Sequence, residues 1–214
     1  MKPGVIYLYA GKVEEWTREW KEEKNRESLC GRLLLLYGLE ELGYEGWTVG
    51  HSKGTERASG DFPGIRESLK ELEGALKRGP YGKPYLAGYP DIHFNISHSG
   101  GYGVCAISSM PCGVDIQEKR AVRSKRMIER TMNAREQRQI LEAEDSTKEF
   151  IKLWTYKESC IKLSGKGLHQ DMRTMKVPAC HRYFWLKKDL VGCVAAEEPF
   201  QMEIRRLYLE EKEA

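Results

Sequence analysis

The sequence predicts a fold that mixes helices and strands, and two observations carry that reading. Helical and strand-like periods both recur along its 214 residues, a length that suits one domain or two half-sized lobes sharing an interface. A long apolar helix, a helix-breaking loop and strands carrying Val104-Cys105-Ala106-Ile107 are echoed by a second helix and Cys193-Val194-Ala195-Ala196. Short runs of small apolar residues also recur by chance, so the echo suggests two similar halves meeting near residues 108 to 113 and leaves the domain count open.

Val5-Ile6-Tyr7-Leu8-Tyr9 reads as the first strand. A charged amphipathic stretch from about Val13 runs into Arg26-Glu27-Ser28-Leu29-Cys30-Gly31-Arg32-Leu33-Leu34-Leu35-Leu36-Tyr37, whose apolar density predicts a buried helix ending near Gly43. Residues 46 to 66 have no period and read as loop, and Ser68 to Lys77 as a short helix. In Tyr81-Gly82-Lys83-Pro84-Tyr85-Leu86 the proline pushes the residue before it out of the helical region, so this segment turns into a strand. Three strands follow, Ile92 to Ile96, Gly103 to Ser108 and Cys112 to Gln117, with Ser109-Met110-Pro111 joining the last two as a hairpin. From Ser124 the pattern is helical. Asn133 and Glu136 match a capping box for a helix to about Glu144, and Ser146 with Glu149 repeats it before a longer helix, Thr147 to Leu163. That helix should stop at Gly165-Lys166-Gly167, and extended segments follow around Thr174 to Val177, Tyr183 to Lys187, Val191 to Ala196 and Met202 to Leu207.

Apolar residues make up 40% and charged ones 31%, with a mean hydropathy of −0.60, which fits a soluble globular protein better than a disordered or membrane one. Leu33 to Leu36 is too short to span a bilayer, and Met1-Lys2-Pro3-Gly4 leads into a strand without a secretory signal, so a cytoplasmic location without a membrane partner is expected. A net charge of +3 gives little support to a nucleic-acid partner. The basic run from Lys119-Arg120 through Arg130 to Arg138 reads as a solvated helix face or a docking surface for an acidic protein; interleaved glutamates dilute its field, and no aromatics are spaced for base stacking. The six cysteines are scattered without a C-x-x-C pair, which argues against a zinc module or a disulfide framework.

Two short segments carry the chemistry. In Gly113-Val114-Asp115-Ile116-Gln117 the alternation of Cys112, Val114 and Ile116 marks a half-buried strand, with Asp115 and Gln117 on its other face. In Trp154-Thr155-Tyr156-Lys157-Glu158-Ser159-Cys160-Ile161-Lys162, four-residue spacing stacks Glu158 and Lys162 on one helix face. Asp115 and Glu158 could give two hard oxygen ligands to magnesium, and Lys157, Lys162, Lys166 and His98 would suit a phosphorylated substrate. Equally, Glu158 and Lys162 could be a solvated i, i+4 pair worth about 0.3–0.5 kcal/mol, and Asp115 with Gln117 an exposed strand face. His98 lies in Asn95-Ile96-Ser97-His98-Ser99-Gly100-Gly101, a strand end that could face an anion or simply a turn with a hydrogen-bonded imidazole. Glu136 already has a local reason in its capping box.

These segments, with Gly82-Lys83-Pro84, Phe94-Asn95-Ile96-Ser97-His98-Ser99 and Lys162-Leu163-Ser164-Gly165-Lys166-Gly167-Leu168 in the same order, resemble the 4'-phosphopantetheinyl transferases of the surfactin-synthetase-activating (Sfp) type. The resemblance is clear over about residues 82 to 168. It implies a pseudo-twofold α+β arrangement of two similar lobes, residues 1–110 and 111–214, with coenzyme A in the cleft between them. The implied reaction moves the phosphopantetheine arm of coenzyme A onto a serine of an apo acyl, peptidyl or aryl carrier protein, with Mg2+ on the pyrophosphate. By the same resemblance Asp115, Gln117 and Glu158 surround the metal, Glu158 or a water it orients is the general base, and Lys157 and Lys162 contact the pyrophosphate, Lys162 also as general acid. Lys83, Ser97 and His98 would touch the nucleotide and phosphates, with Arg26 and Arg32 helping at the nucleotide. Many family members carry glutamate where this chain has Gln117, a weaker ligand that can still offer a carbonyl oxygen or hold a coordinated water. A monomer is expected, since two lobes in one chain would complete the site. The alternative is a non-catalytic coenzyme A-binding module that docks an acidic partner.

Overall fold

The computed structural model describes residues 1–44, 47, 64–119, 125–167, 171–175 and 180–207, and within them helices and strands mix in an α+β architecture. β1 (Val5–Lys12) is central to a four-stranded sheet. It pairs antiparallel with β5 (Tyr102–Ser108), which pairs in turn with β4 (His93–Ser99), and parallel with β9 (Gln201–Arg206) from the far end of the chain. A three-stranded sheet has the order β6-β8-β7, from Gly113–Glu118, Leu190–Ala196 and Cys180–Lys187, both pairings antiparallel. Two short strands, β2 (Leu76–Arg78) and β3 (Pro84–Leu86), form a ribbon of their own.

The sheets are buried because helices cover them. After the one-turn α1 (Val13–Trp16), α2 (Arg26–Glu41) lies across β5 and buries Leu33, Leu34, Leu35 and Leu36 completely. Each such leucine contributes about 1.5–3 kcal/mol by leaving water. The other face of the same sheet meets the three-stranded one, so Ile6, Leu8, Val104 and Ala106 pack with Val114, Ile116, Phe184 and Val194. α3 (Ile65–Ala75) extends the first core, while α4 (Lys125–Thr131) and α5 (Ala134–Glu142) pack with α6 (Ser146–Ser164) around Met132, Ile140 and Phe150. Among the described residues no helix is long and apolar enough to cross a membrane. All six cysteines are free thiols, five of them buried.

Three sequence expectations need correction. β5 and β6 do not form a hairpin, because β1 and β4 already occupy both edges of β5; residues 109–112 instead carry the chain from one sheet to the other. α6 is capped by Asp145, whose side chain accepts from the Lys148 amide at 2.9 Å, and not by Ser146; Glu149 is engaged by Gln139. Thr174 closes a turn onto Asp171 and begins no strand, while residues 176 and 177 and most of the 46–66 loop lie outside the described residues. Other signals hold: Asn133 and Glu136 form a capping box on α5, and Gly165, at φ 66°, ends α6 in the left-handed conformation that glycine adopts without a Cβ penalty.

One glycine sets how closely the second sheet and its helix approach. A Cβ on Gly113 would lie 2.1 Å from the Ser159 carbonyl oxygen and 2.4 Å from the Leu163 amide nitrogen, so α6 rests backbone to backbone on the start of β6. This contact brings Glu158 and Lys162, on the same part of α6, over Asp115.

Candidate functional site

Asp115 sits in the middle of β6 with 2% of its surface exposed, which excludes the solvated strand face as its setting. A buried carboxylate is stable only when its oxygens are engaged. Oδ1 accepts from the Ser97 hydroxyl at 2.8 Å and from the Lys162 ammonium at 2.7 Å, and Oδ2 from the Gln117 amide nitrogen at 3.3 Å. Lys162 thus pairs across to β6 and not with Glu158 one turn before it on α6. The Glu158 carboxyl lies close enough to sense both groups. Burial pushes its pKa up, the Asp115 charge pushes it further, and the Lys162 charge opposes them.

Two carboxylates held together with one lysine could hold a divalent cation. The donors are hard oxygens, which suits magnesium and not zinc. Burial first and the Asp115 charge second raise Glu158, and among the described residues no third His, Cys, Asp or Glu completes a protein cage. Such an ion would therefore take its remaining ligands from water and from substrate phosphate. Gln117 faces Asp115 with its amide nitrogen, so its carbonyl oxygen would serve a metal only with the amide turned over.

The raised Glu158 gives a pH signature. The folded chain holds this proton more tightly than the unfolded chain, so Glu158 subtracts stability as pH rises from the ordinary value of 4.5 through the raised one. Glu158→Gln, melted without metal, should exceed the wild type in Tm at neutral pH, with the difference closing only as pH falls well below about 4.3, where the glutamate is protonated in both states. A constant difference at both ends of that range would contradict the assignment.

The other expected residues divide. Ser97 is brought to the site: it is buried, donates to Asp115 and accepts from the Ile116 amide at 3.2 Å. Lys83 sits at the C-terminal end of α6, its ammonium donating to the Leu163 and Cys112 carbonyls at 3.0 and 3.3 Å, with a pKa lowered by burial. It borders a cleft of about 320 Å³ with Pro84, Tyr85, His93 and Phe94. His98 is exposed and pairs through Nδ1 with Glu27 on α2 at 3.0 Å. Arg26 turns to Thr17, and Arg32 to Glu73 and Ser28, so neither joins the carboxylates.

Lys157 is not brought to this group. Only 1% of its side chain is exposed, and all three ammonium donors are taken, by Thr131 and Met172 carbonyls at 3.0 and 2.7 Å and by Glu136 at 2.6 Å. Glu136 accepts at the same time from the Asn133 amide, so its capping role and its ion pair with Lys157 are one network tying α4, α5 and α6 to the loop at Met172. Helix geometry holds the signal for this. One residue is about 100° of rotation, which turns Lys157 away from Glu158, whereas Lys162 four residues on returns beside it. Sequence reasoning also missed Asn95, Ser99 and Gly113, although small polar residues at every second position of a strand, and a glycine at a strand start, were open to view.

Residues 111–185 match the model of the 4'-phosphopantetheinyl transferase superfamily. The chain is 36% identical over 121 residues to 4'-phosphopantetheinyl transferase Sfp of Bacillus subtilis (strain 168), covering 50% of this chain and 54% of that one. It is 40% identical over 89 residues to 4'-phosphopantetheinyl transferase psf-1 of Bacillus pumilus, 41% of this chain and 38% of that one. To 4'-phosphopantetheinyl transferase gsp of Aneurinibacillus migulanus it is 36% identical over 116 residues, 53% and 44% of the two. The chain thus covers about half the length, or less, of these curated relatives. Asp115, Gln117, Glu158 and Lys162 all fall within the matched family region.

Proposed function

We propose that this chain, whose residues 111–185 carry a 4'-phosphopantetheinyl transferase superfamily domain of the Sfp type, moves the 4'-phosphopantetheine group of coenzyme A onto a serine of an apo acyl, peptidyl or aryl carrier protein. The observation that carries this reading is the convergence of Asp115, Glu158 and Lys162 from two elements inside that domain. The two-lobed reading, residues 1–110 and 111–214 with coenzyme A between them, is part of the proposal. It is supported by the similar use of α2 against one sheet and α6 against the other, and a single chain with both halves would act as a monomer.

In this mechanism the carrier serine oxygen attacks the phosphorus that bears the pantetheine arm. The bond from that phosphorus to the bridging oxygen of the pyrophosphate breaks, and adenosine 3',5'-bisphosphate leaves. Glu158, directly or through a water it orients, takes the serine proton. Asp115 and Glu158 would hold Mg2+, with Gln117 beside them. When bound, the ion supplies Lewis-acid stabilisation of charge on the pyrophosphate oxygens. Lys162, partly exposed beside Asp115, offsets the charge growing on the leaving phosphate and can protonate it. Lys83 and His98, outside the carboxylate cluster, would contact the nucleotide end of coenzyme A in this reading. Lys157 has no part in this mechanism, since its donors are fully engaged.

Incubation with coenzyme A, Mg2+ and a panel of apo carrier proteins tests the function. Release of adenosine 3',5'-bisphosphate only when metal and a carrier are both present supports it. Calorimetric binding of coenzyme A without metal dependence, joined to no release with any carrier, would favour a non-catalytic coenzyme A-binding module.

A further inference from the structure

Among the described residues β4 ends one sheet and β6 ends the other, so each presents an edge whose backbone groups pair with no strand backbone. Alternate amides of an antiparallel strand point to opposite edges, and in β6 those of Val114, Ile116 and Glu118 share the edge away from β8. A buried amide needs an acceptor. Here it comes from side chains and not from a strand backbone: Asn95 Oδ1, Ser97 Oγ and Ser99 Oγ accept at 2.9, 3.2 and 3.0 Å respectively. The sequence separation is 19 at every rung, so the two strands run parallel in a register written by three polar residues at every second position of β4.

The middle rung does more than the others. While Ser97 Oγ accepts from Ile116, its single hydrogen goes to Asp115 Oδ1 at 2.8 Å. Ser97 and Asp115 are 4% and 2% exposed, so water is a poor competitor for either bond. A hydroxyl has one hydrogen, which leaves this side chain no donor for a phosphate. A one-residue slip of β6 would carry Asp115 to the opposite face, away from α6.

We propose that Ser97 is a positioning residue for the metal site: it fixes the rotamer of Asp115 and, with Asn95 and Ser99, the register of β6 against β4, and it does not bind the phosphates of coenzyme A through its hydroxyl. This rests on the reading of Asp115 as a metal ligand. The chemistry it acts on is therefore the affinity for a divalent cation, with nucleotide binding left alone.

The test uses the full chain with Mn2+ alone as the probe, its affinity read by electron paramagnetic resonance, alongside amide exchange of Val114, Ile116 and Glu118. Ser97→Ala should weaken Mn2+ at least tenfold, in the range of groups that orient metal ligands. It should also speed exchange at Ile116 more than at Val114, and leave coenzyme A affinity without metal within about twofold, a change too small to mark a lost charged contact. Ser97→Thr, which keeps the hydroxyl, should restore both. If Ser97→Ala does not fold, Ser97→Cys keeps the shape with a much weaker donor and carries the same expectations. Unchanged Mn2+ affinity with weakened coenzyme A would overturn the proposal in favour of a direct phosphate contact. Asp115→Asn separates the two readings: if it binds Mn2+ like the wild type, the metal assignment fails, and the loss of Mn2+ affinity predicted for Ser97→Ala fails with it. If Asp115→Asn loses the metal and Ser97→Ala does not, the Ser97 proposal alone is wrong.

Discussion

Asp115→Ala and Glu158→Ala should each reduce transfer to a carrier protein by about a thousandfold or more, the equivalent of roughly 4 kcal/mol of transition-state stabilisation. Each substitution removes one of the two protein carboxylates at the site, and no third lies beside them among the described residues. The two losses differ in kind. Asp115→Ala takes the partner from Lys162 and Ser97 as well, so the lysine loses the contact that orients it. Glu158→Ala removes a proposed ligand and the proposed base together while leaving the Asp115 and Lys162 pair in place. Asp115→Asn keeps the volume and an acceptor for Ser97, which separates lost charge from lost packing. Single-turnover rates with circular dichroism of each variant decide the matter: folded variants at full rate would remove both residues from the mechanism.

Gly113→Ala is the second large effect, and it acts through backbone. The new methyl would lie 2.1 Å from the Ser159 carbonyl oxygen and 2.4 Å from the Leu163 amide nitrogen, neither of which can rotate aside. α6 must therefore move off β6, at the upper end of the cost of overpacking, about 3 kcal/mol, or roughly 10 °C in Tm for a chain of this size. Glu158 and Lys162 ride on α6 and move away from Asp115 with it. Transfer measured well below the lowered Tm should thus fall by more than the loss of folded protein explains. A variant with wild-type Tm and rate would show that this close approach does not set the site.

The parts of this arrangement legible in the sequence are those fixed by near neighbours. The capping box of Asn133 and Glu136 and the stop at Gly165 depend on a few consecutive residues, and both are present. Asp115 stands out because an aspartate between Val114 and Ile116 has poor β-propensity for a strand, yet the sequence leaves chemistry and plain solvent exposure equally open. What settles it is α6, whose Lys162 is brought from 47 residues away, and Ser97 from β4. The hairpin expected at Ser109-Met110-Pro111 failed for a similar reason: the turn chemistry suited it, but whether β6 could join β5 depended on β1 and β4 already holding both edges. Lys157 and Lys162 look alike in composition, and only the burial of the first against Glu136, Thr131 and Met172 separates a structural cation from one facing the carboxylates. Asn95, Ser97 and Ser99 read as a strand end running into a turn, and only the edge of β6 lying on top of them shows that all three belong to one strand face.

The most direct measurement is the intact mass of an apo carrier protein after incubation with this chain, coenzyme A and Mg2+. The account predicts a gain of one phosphopantetheine per carrier, lost when the acceptor serine of the carrier is replaced by alanine and lost again when Asp115 or Glu158 is substituted. A folded, coenzyme A-binding chain that adds no mass to any acyl, peptidyl or aryl carrier, or one that adds it as well without Asp115 and Glu158, would contradict it.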